Sequence, residues 1–289
     1  MSTTAADVYA DSSESPFQFL SNLAKELSAG RVELPSFPDA AARLQQALAD
    51  VSVTSERIAR VVSTDAGLTG RILTMANSTL LHRGSTPVSD LKIAVTRIGH
   101  ENIRTAALAY ASAQLRKAPE LAHIRVELES CWEQGIRVAA LAHAMAKESR
   151  AVRADEAMLA GLLHNIGRIY IIARSPKDAG AVRQDEDLLR EWHPGIGQAL
   201  IENWKLPDEV AVAVGGQMEL ERSHEGDADL TDLLIVAVHI AAQMAAGASD
   251  DAALTSLPAA KVLGLTDSAL IRIMLESQTE VEMLHAALG

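Results

Sequence analysis

The stretch Gly161-Leu162-Leu163-His164-Asn165-Ile166-Gly167-Arg168 lies inside an apolar helical pattern and places a His–Asn pair among small and aliphatic residues. An Asp at position 165 would put a carboxylate beside His164, and this combination binds divalent metals. Asn has nearly the same shape but carries no negative charge. A divalent cation held here would keep its full charge among neutral oxygen and nitrogen atoms, which is unfavourable.

The composition of the chain favours closely packed helices. Hydrophobic residues make up 48% of the 289 residues, whereas aromatic residues make up only 3%. The core must then be built from Ala, Leu, Val and Ile, which suit helix packing. Apolar residues recur at helical spacing and strand patterning is nearly absent. We predict an all-α fold, in which an N-terminal helical bundle packs on a second helical lobe.

Cap and breaker residues predict how the chain is divided. Ser15-Pro16 opens the first helix, Gly30 closes it, and Asp65 is the N-cap of a later one. Pro119 follows an Ala-rich helix and marks the boundary between the lobes. We therefore predict a disordered tail at residues 1–15, a first lobe at 16–118 and a second lobe at 119–289.

Helical patterns also predict individual segments on both sides of this boundary. In the first lobe, Ser89 caps a helix that ends at Gly99, and a separate helix follows at residues 101–117. In the second lobe, the patterns predict helices at about residues 155–174, 193–205, 207–218, 228–246 and 266–288.

Charge and cysteine content exclude several classes of protein. The chain has 38 acidic and 26 basic residues, and its net charge of -12 argues against binding of nucleic acids through general phosphate attraction. Cys131 is the only cysteine, which fits a reducing cytoplasm. No apolar run approaches the roughly 20 residues that span a bilayer. We predict a cytoplasmic protein with neither nucleic acid nor membrane as a partner.

Several further segments follow one another in a recognisable order. They are Leu34-Pro35-Ser36-Phe37-Pro38, Ser63 to Leu68, Met75 to Ser78, Ala94 to Gly99, Trp132, His193 to Gly197 and Trp204 to Pro207. Together with Gly161 to Arg168, they resemble the HDOD family over about residues 15–250. This family is a non-enzymatic branch of the HD metal-dependent phosphohydrolase superfamily in bacterial signalling. The resemblance implies that the second lobe is a degenerate HD-like lobe.

The resemblance also indicates which metal ligands are missing. An active HD phosphohydrolase collects His and Asp ligands from several helices. By comparison, Gln134 stands where a first His is expected, Asn165 replaces the Asp, and Arg168 replaces a frequent Lys. Gln217-Met218 occupies a His-His position and Ala242 that of a distal Asp, both placed by spacing alone.

Two histidines, His164 and His193, remain as good ligands, so we predict neither a metal nor another cofactor. We interpret His164 as a buried imidazole bonded to a facing side chain such as that of Gln134, with Asn165 in the same network. His193 precedes a proline and is expected to begin a helix. Arg168 is expected to reach a nearby acid or the surface rather than a phosphate.

The resemblance implies a non-catalytic regulatory or scaffold protein of bacterial signal transduction, whose partners are signalling proteins. The candidate surface is the groove between the lobes and a remnant pocket lined by Gln134, His164, Asn165, Arg168, His193 and Gln217. A small-molecule ligand is compatible with this pocket. Two alternatives stay open: a metal-dependent phosphohydrolase or phosphodiesterase acting on a nucleotide, and a nucleotide-sensing module without turnover.

Overall fold

Helices form the whole of the described fold. The computed structural model describes residues 15–31, 38–50, 52–78, 87–150, 152–176, 180–247 and 251–288. No β-strand occurs in these residues, and the all-α class is confirmed. The helices are α1 (Pro16–Ser28), α2 (Asp39–Leu48), α3 (Ser55–Val62), α4 (Ala66–Ala76), α5 (Leu91–Lys117), α6 (Arg125–Ser149), α7 (Ala154–Leu163), α8 (Ile166–Arg174), α9 (Gly180–Gln184), α10 (Glu186–Asn203), α11 (Asp208–Gly216), α12 (Leu230–Ala245), α13 (Asp251–Ser256), α14 (Pro258–Val262) and α15 (Asp267–Leu288).

Local sequence signals set the ends of several helices. Ser15 caps α1, because its hydroxyl accepts a hydrogen bond from the Gln18 amide and the Gln18 side chain accepts one from the Ser15 amide. Asp65 accepts from the Leu68 amide at 2.9 Å at the start of α4. Gly30 follows α1 with a φ of 72°, a left-handed conformation without steric cost for glycine. These three predictions are confirmed.

The longest helix of the first lobe bears out the predicted break at Gly99. Two helical segments, before and after this residue, make up α5, and they meet at a kink where Gly99 has a non-helical backbone with φ 75°. Glycine permits the left-handed conformation, so the chain can turn and then continue as a helix. The cap is Asp90 rather than Ser89, since the Asp90 carboxylate accepts from the Ile93 amide at 2.9 Å.

Two predicted helices of the second lobe have the wrong boundaries. The segment predicted at residues 155–174 is broken at His164 and Asn165 into α7 and α8. His193 lies in the interior of α10, not at its start. This helix begins earlier, because Asp185 accepts a hydrogen bond from the Leu188 amide at 3.0 Å. The proline signal is misleading here because α10 contains residue 194 despite its missing amide hydrogen.

Two buried hydrophobic clusters hold the helices together, and both cross the predicted boundary at residue 118. The first cluster joins α2 to α5 with parts of α6 and α7, and with Leu284 and Leu288 from the last turns of α15. The second cluster occupies the second lobe but also includes Phe19 and Leu23 of α1. The first helix therefore packs on α10, and the last helix reaches α4 and α5. The lobe boundary itself stays a prediction.

Some features of the sequence fall outside the described residues. These are the predicted tail, apart from Ser15, and the first four residues of the Leu34–Pro38 motif. None of the helices in the described ranges is long and apolar enough to span a lipid bilayer.

Candidate ligand-binding cavity

All six residues predicted for the pocket line one cavity in the second lobe. They come from α6 (Gln134), the turn between α7 and α8 (His164, Asn165), α8 (Arg168), α10 (His193) and the end of α11 (Gln217). The cavity has a volume of about 180 Å³, and its remaining walls are Arg137, Val138, Glu186, Arg190, Met218, Val238, Ala241, Ala242 and Ala245. The residues placed by spacing alone, Met218 and Ala242, thus line it as well. We call this space the remnant cavity.

Two glycines of the decisive stretch bring the walls of the remnant cavity together. A Cβ atom on Gly161 would lie 2.5 Å from the Ala139 Cα atom of α6. A Cβ atom on Gly167 would lie 2.0 Å from the His193 carbonyl oxygen and 2.6 Å from the Gly197 amide nitrogen. No side chain tolerates such distances to backbone atoms. These glycines therefore allow α7 to lie against α6 and α8 to lie against α10.

The hydrogen bonds of the remnant cavity differ in part from the prediction. The Nδ1 atom of His164 donates to the Gly161 carbonyl oxygen at 2.7 Å. The expected bond from His164 to Gln134 is wrong, because this carbonyl group already takes the Nδ1 hydrogen. Instead, the Asn165 amide donates to the Gln134 Oε1 atom at 2.8 Å. The Gln217 amide donates to the backbone carbonyl oxygen of His164 at 2.9 Å.

Burial keeps both histidines of the remnant cavity uncharged. It lowers the pKa of His164 to about 4, although the hydrogen bond to Gly161 acts in the opposite direction. Burial also lowers the pKa of His193 to about 3, and positive charge at His164, Arg168 and Arg190 acts in the same direction. Both imidazoles are therefore neutral near pH 7.

Three arginines line the remnant cavity, and one of them is paired with a carboxylate. The Arg168 guanidinium donates two hydrogen bonds to the Glu186 carboxylate, at 2.7 and 2.5 Å, as its expected acid partner. Within the described ranges, Arg137 and Arg190 form no hydrogen bond or ion pair. Sequence reasoning missed these two arginines. Helical spacing could have indicated them, because Arg137 lies three residues after Gln134, and Arg190 lies three residues before His193 on the same helix.

The donor set of the remnant cavity does not fit a catalytic divalent metal. His164 and His193 offer two imidazoles, whereas catalytic zinc takes about three protein ligands and Mg²⁺ favours carboxylates. Among the described residues, Glu186 is the only carboxylate in the wall, and Arg168 binds both its oxygens. The cavity can bind a ligand through amide and guanidinium donors, but it lacks the ligands for metal activation of water.

A second polar group in the same lobe gathers side chains of the metal-binding type. Possible ligand atoms of His224, Asp229 and Asp232 lie within 4.8 Å of one another. However, the Arg222 guanidinium donates to Asp229 Oδ2 and to Asp232 Oδ1, each at 2.6 Å. The His224 Nε2 atom lies 2.8 Å from Asp232 Oδ2. We call these four residues the Arg222 cluster. Its carboxylates already have a cation, supplied by the chain itself.

The fold and the remnant cavity define an all-α protein with an HD-like helical lobe. A sequence model described as HDOD domain matches residues 34–219, and the chain belongs to the HDOD domain family. This range includes all six residues predicted for the pocket and ends just after Gln217. No curated protein sequence matches the chain significantly.

Solved structures with the same fold come from several bacteria. One is an "HDOD domain protein with unknown function" from Geobacter sulfurreducens, which is 23% identical with a TM-score of 0.65, over 94% of this chain and 98% of that one. A "Putative metal-dependent phosphohydrolase" from Shewanella amazonensis SB2B is 24% identical with a TM-score of 0.64, over 92% and 99%. A "Putative signal transduction protein" from Marinobacter aquaeolei VT8 is 19% identical with a TM-score of 0.58, over 94% and 65%. At these identities the similarity shows the fold alone.

Proposed function

We propose that the protein is a non-catalytic regulatory or scaffold protein of bacterial signal transduction that acts by docking partner proteins. The observation that carries this proposal is the loss of available carboxylates from the remnant cavity. Asn165 stands in place of the Asp and donates to Gln134, while Glu186 is bound by Arg168. Without anchoring carboxylates, a metal would be held weakly and an attacking water would not be oriented.

The proposed partners are signalling proteins of the cytoplasm, docked at the groove between the lobes and the remnant cavity. The net charge of -12 disfavours nucleic acid as the partner. Cys131 is buried, and burial raises the pKa of its thiol to about 11. It is therefore a packing residue rather than a reactive thiol, which agrees with a reducing compartment.

Metal content and hydrolysis test the non-catalytic part of the proposal. Protein purified without chelator is expected to hold far less than one Mn, Fe or Zn ion per chain. It should cleave phosphodiester and phosphomonoester substrates no faster than a His164→Ala variant. A variant with Gln134→His, Asn165→Asp and Gln217→His restores ligands and serves as the positive control for metal uptake. Near-stoichiometric metal in the native protein, with turnover that His164→Ala abolishes, would establish the phosphohydrolase alternative instead.

Binding of an isolated partner tests the docking part. Met218 lies at the remnant cavity with 37% of its surface exposed, whereas Val126 is 81% exposed and lies outside the cavity wall. A partner captured from the native bacterium is purified and titrated against Met218→Glu and the control Val126→Glu. Weaker binding by Met218→Glu alone is expected, because a new carboxylate would be desolvated in the interface. Equal affinities would argue against docking at this site.

Ligand sensing without turnover is a second candidate. It is favoured by Arg137 and Arg190, which form no hydrogen bond or ion pair with the residues that the structure describes. A bound ligand could change how the cavity walls pack, and thereby the surface offered to a partner. Calorimetry with a panel of nucleotides tests this candidate. A uniform lack of heat would leave protein docking as the better account.

A further inference from the structure

The remnant cavity carries an excess of positive charge. Arg137 on α6, Arg168 on α8 and Arg190 on α10 approach it from three helices. Glu186 opposes them, but its carboxylate is already bound to Arg168, and both histidines are neutral near pH 7. Arg137 and Arg190 thus have no hydrogen-bonded or ion-paired anion in the described part of a chain whose net charge is -12. Arg190 does feel Glu186, because its charge, after the hydrogen bonds from Arg168, helps to lower the pKa of that carboxyl group. An anion at this point would be attracted by both Arg137 and Arg190.

A neutral hydrogen-bond donor lies next to these arginines. Because the Gln134 Oε1 atom accepts from Asn165, the orientation of the Gln134 amide is fixed. Its Nε2 group has no hydrogen-bond acceptor among the described residues and can donate to a ligand. The Nδ1 atom of His193 is buried in the wall and is also without a partner in the described ranges. Val238 and alanines of α12 form an apolar part of the wall.

The volume of the remnant cavity limits what can enter. Pockets for drug-sized ligands measure about 300–1,000 Å³. At about 180 Å³, this cavity admits a group of a few heavy atoms, but a whole nucleotide or cyclic dinucleotide would protrude from it. Guanidiniums bind carboxylate and phosphate oxygens in a bidentate manner, so size and charge together point to a small oxyanion.

We propose that the remnant cavity binds a small phosphate-type oxyanion between Arg137 and Arg190, with Gln134 as a neutral donor. The anion is either inorganic phosphate or the phosphate group of a small monoester. Glu186 competes with it, because this carboxylate occupies Arg168 and repels a second anion. The proposal rests on the proposed function, since a catalytic metal in the same cavity would occupy the same space.

Calorimetric titration of the full chain with inorganic phosphate and with glycerol phosphate tests this site. Native protein is expected to bind one anion per chain. Arg137→Gln and Arg190→Gln should each weaken binding by about tenfold, since a hydrogen bond to a charged group contributes roughly one factor of ten. Glu186→Gln should strengthen binding, because it frees Arg168 and removes a negative charge.

A double variant, Arg43→Gln with Arg60→Gln, provides the control for net charge. These arginines line a groove between α2 and α3, far in sequence from the remnant cavity. Their replacement changes the net charge of the chain by the same amount as the double variant Arg137→Gln with Arg190→Gln. The control variant should bind phosphate as the native protein does. If it weakens binding as much as Arg137→Gln with Arg190→Gln, the attraction is general and the proposal is wrong.

The two anions distinguish the source of the ligand. Equal affinities would identify free phosphate as sufficient, whereas tighter binding of glycerol phosphate would identify a monoester; either result supports the site. A lack of saturable binding by both anions, or tight binding of a cyclic dinucleotide without binding of phosphate, would overturn it. If the native protein then still lacks metal and turnover, the proposed non-catalytic function is unaffected.

Discussion

The remnant cavity and the Arg222 cluster lie in the same lobe and differ in how charge is balanced. The cavity has two imidazoles and, among the described residues, no free carboxylate, so its excess charge is positive. The Arg222 cluster has two carboxylates, but Arg222 binds both of them. A list of metal-type residues would favour the cluster over the cavity. A carboxylate that already binds an arginine is not available to a metal, whatever residue types surround it.

The histidines of the two regions make the difference visible. Burial lowers the pKa of His164 and His193, whereas hydrogen bonding to Asp232 raises the pKa of His224. Burial is the main cause of the shift for the first two, and a hydrogen-bonded carboxylate is the main cause for the third. Opposite responses to acid are therefore expected from residues of one type in one lobe.

The largest effect is expected from Gly167→Ala, at the contact between two helices that line the remnant cavity. The new Cβ atom would lie 2.0 Å from the His193 carbonyl oxygen, so α8 and α10 must separate. We expect a loss of about 3 kcal/mol in the free energy of unfolding, measured with urea. Gly195→Ala on α10 is the matched control, because its Cβ atom would have no neighbour within 4 Å. Equal losses in both variants would mean that close packing at Gly167 does not hold the cavity walls.

A similar or slightly smaller effect is expected when the Arg222 cluster loses its cation. Arg222→Met leaves the Asp232 carboxylate, whose side chain is 1% exposed, without its main positive partner. We expect a loss of about 2–3 kcal/mol, because an uncompensated buried charge is costly. Arg153→Met breaks ion pairs with Asp155 and Glu156 at an exposed site and should cost no more than about 0.5 kcal/mol. Equal effects would show that burial of Asp232 does not distinguish the two arginines.

The smallest effect is expected from pH. Because the folded-state pKa of His193 is lowered to about 3, the unfolded chain binds more protons below about pH 6.5. Stability is thus lost as the pH falls, by about 2 kcal/mol for this residue between pH 7 and pH 5. His193→Gln should flatten the dependence measured by urea unfolding, and His224→Gln should change it in the opposite direction. Identical pH profiles for all three proteins would contradict the assigned pKa directions.

Local signals in the sequence were sufficient for the helical class and for several helix ends. Ser15, Gly30 and Asp65 act through neighbours within four residues, so their roles can be read without the fold. The residues of the remnant cavity could be assembled because the family pattern relates distant positions that periodicity alone would not connect. The structure places these residues around one cavity, and the function of that cavity stays a proposal.

Features that depend on packing between distant segments could not be predicted in the same way. Pro194 usually signals a helix start, but in α10 the helix already begins at residue 186. Arg168 pairs with Glu186, whereas Arg137 and Arg190 form no hydrogen bond or ion pair in the described ranges, and both results depend on how three helices meet. The packing of α1 on the second lobe was likewise not predictable, because the sequence shows the apolar face of a helix but not the helix against which that face packs.

The return of α15 to the first hydrophobic cluster has a consequence for synthesis. Leu284 and Leu288 belong to the same buried cluster as residues of α2 to α5, which lie 173 to 248 positions earlier. During synthesis, the apolar surface of that N-terminal bundle that Leu284 and Leu288 cover therefore stays exposed until residues 284–288 have left the ribosomal exit tunnel. Chaperones that bind nascent chains would therefore have the longest time to act at this bundle.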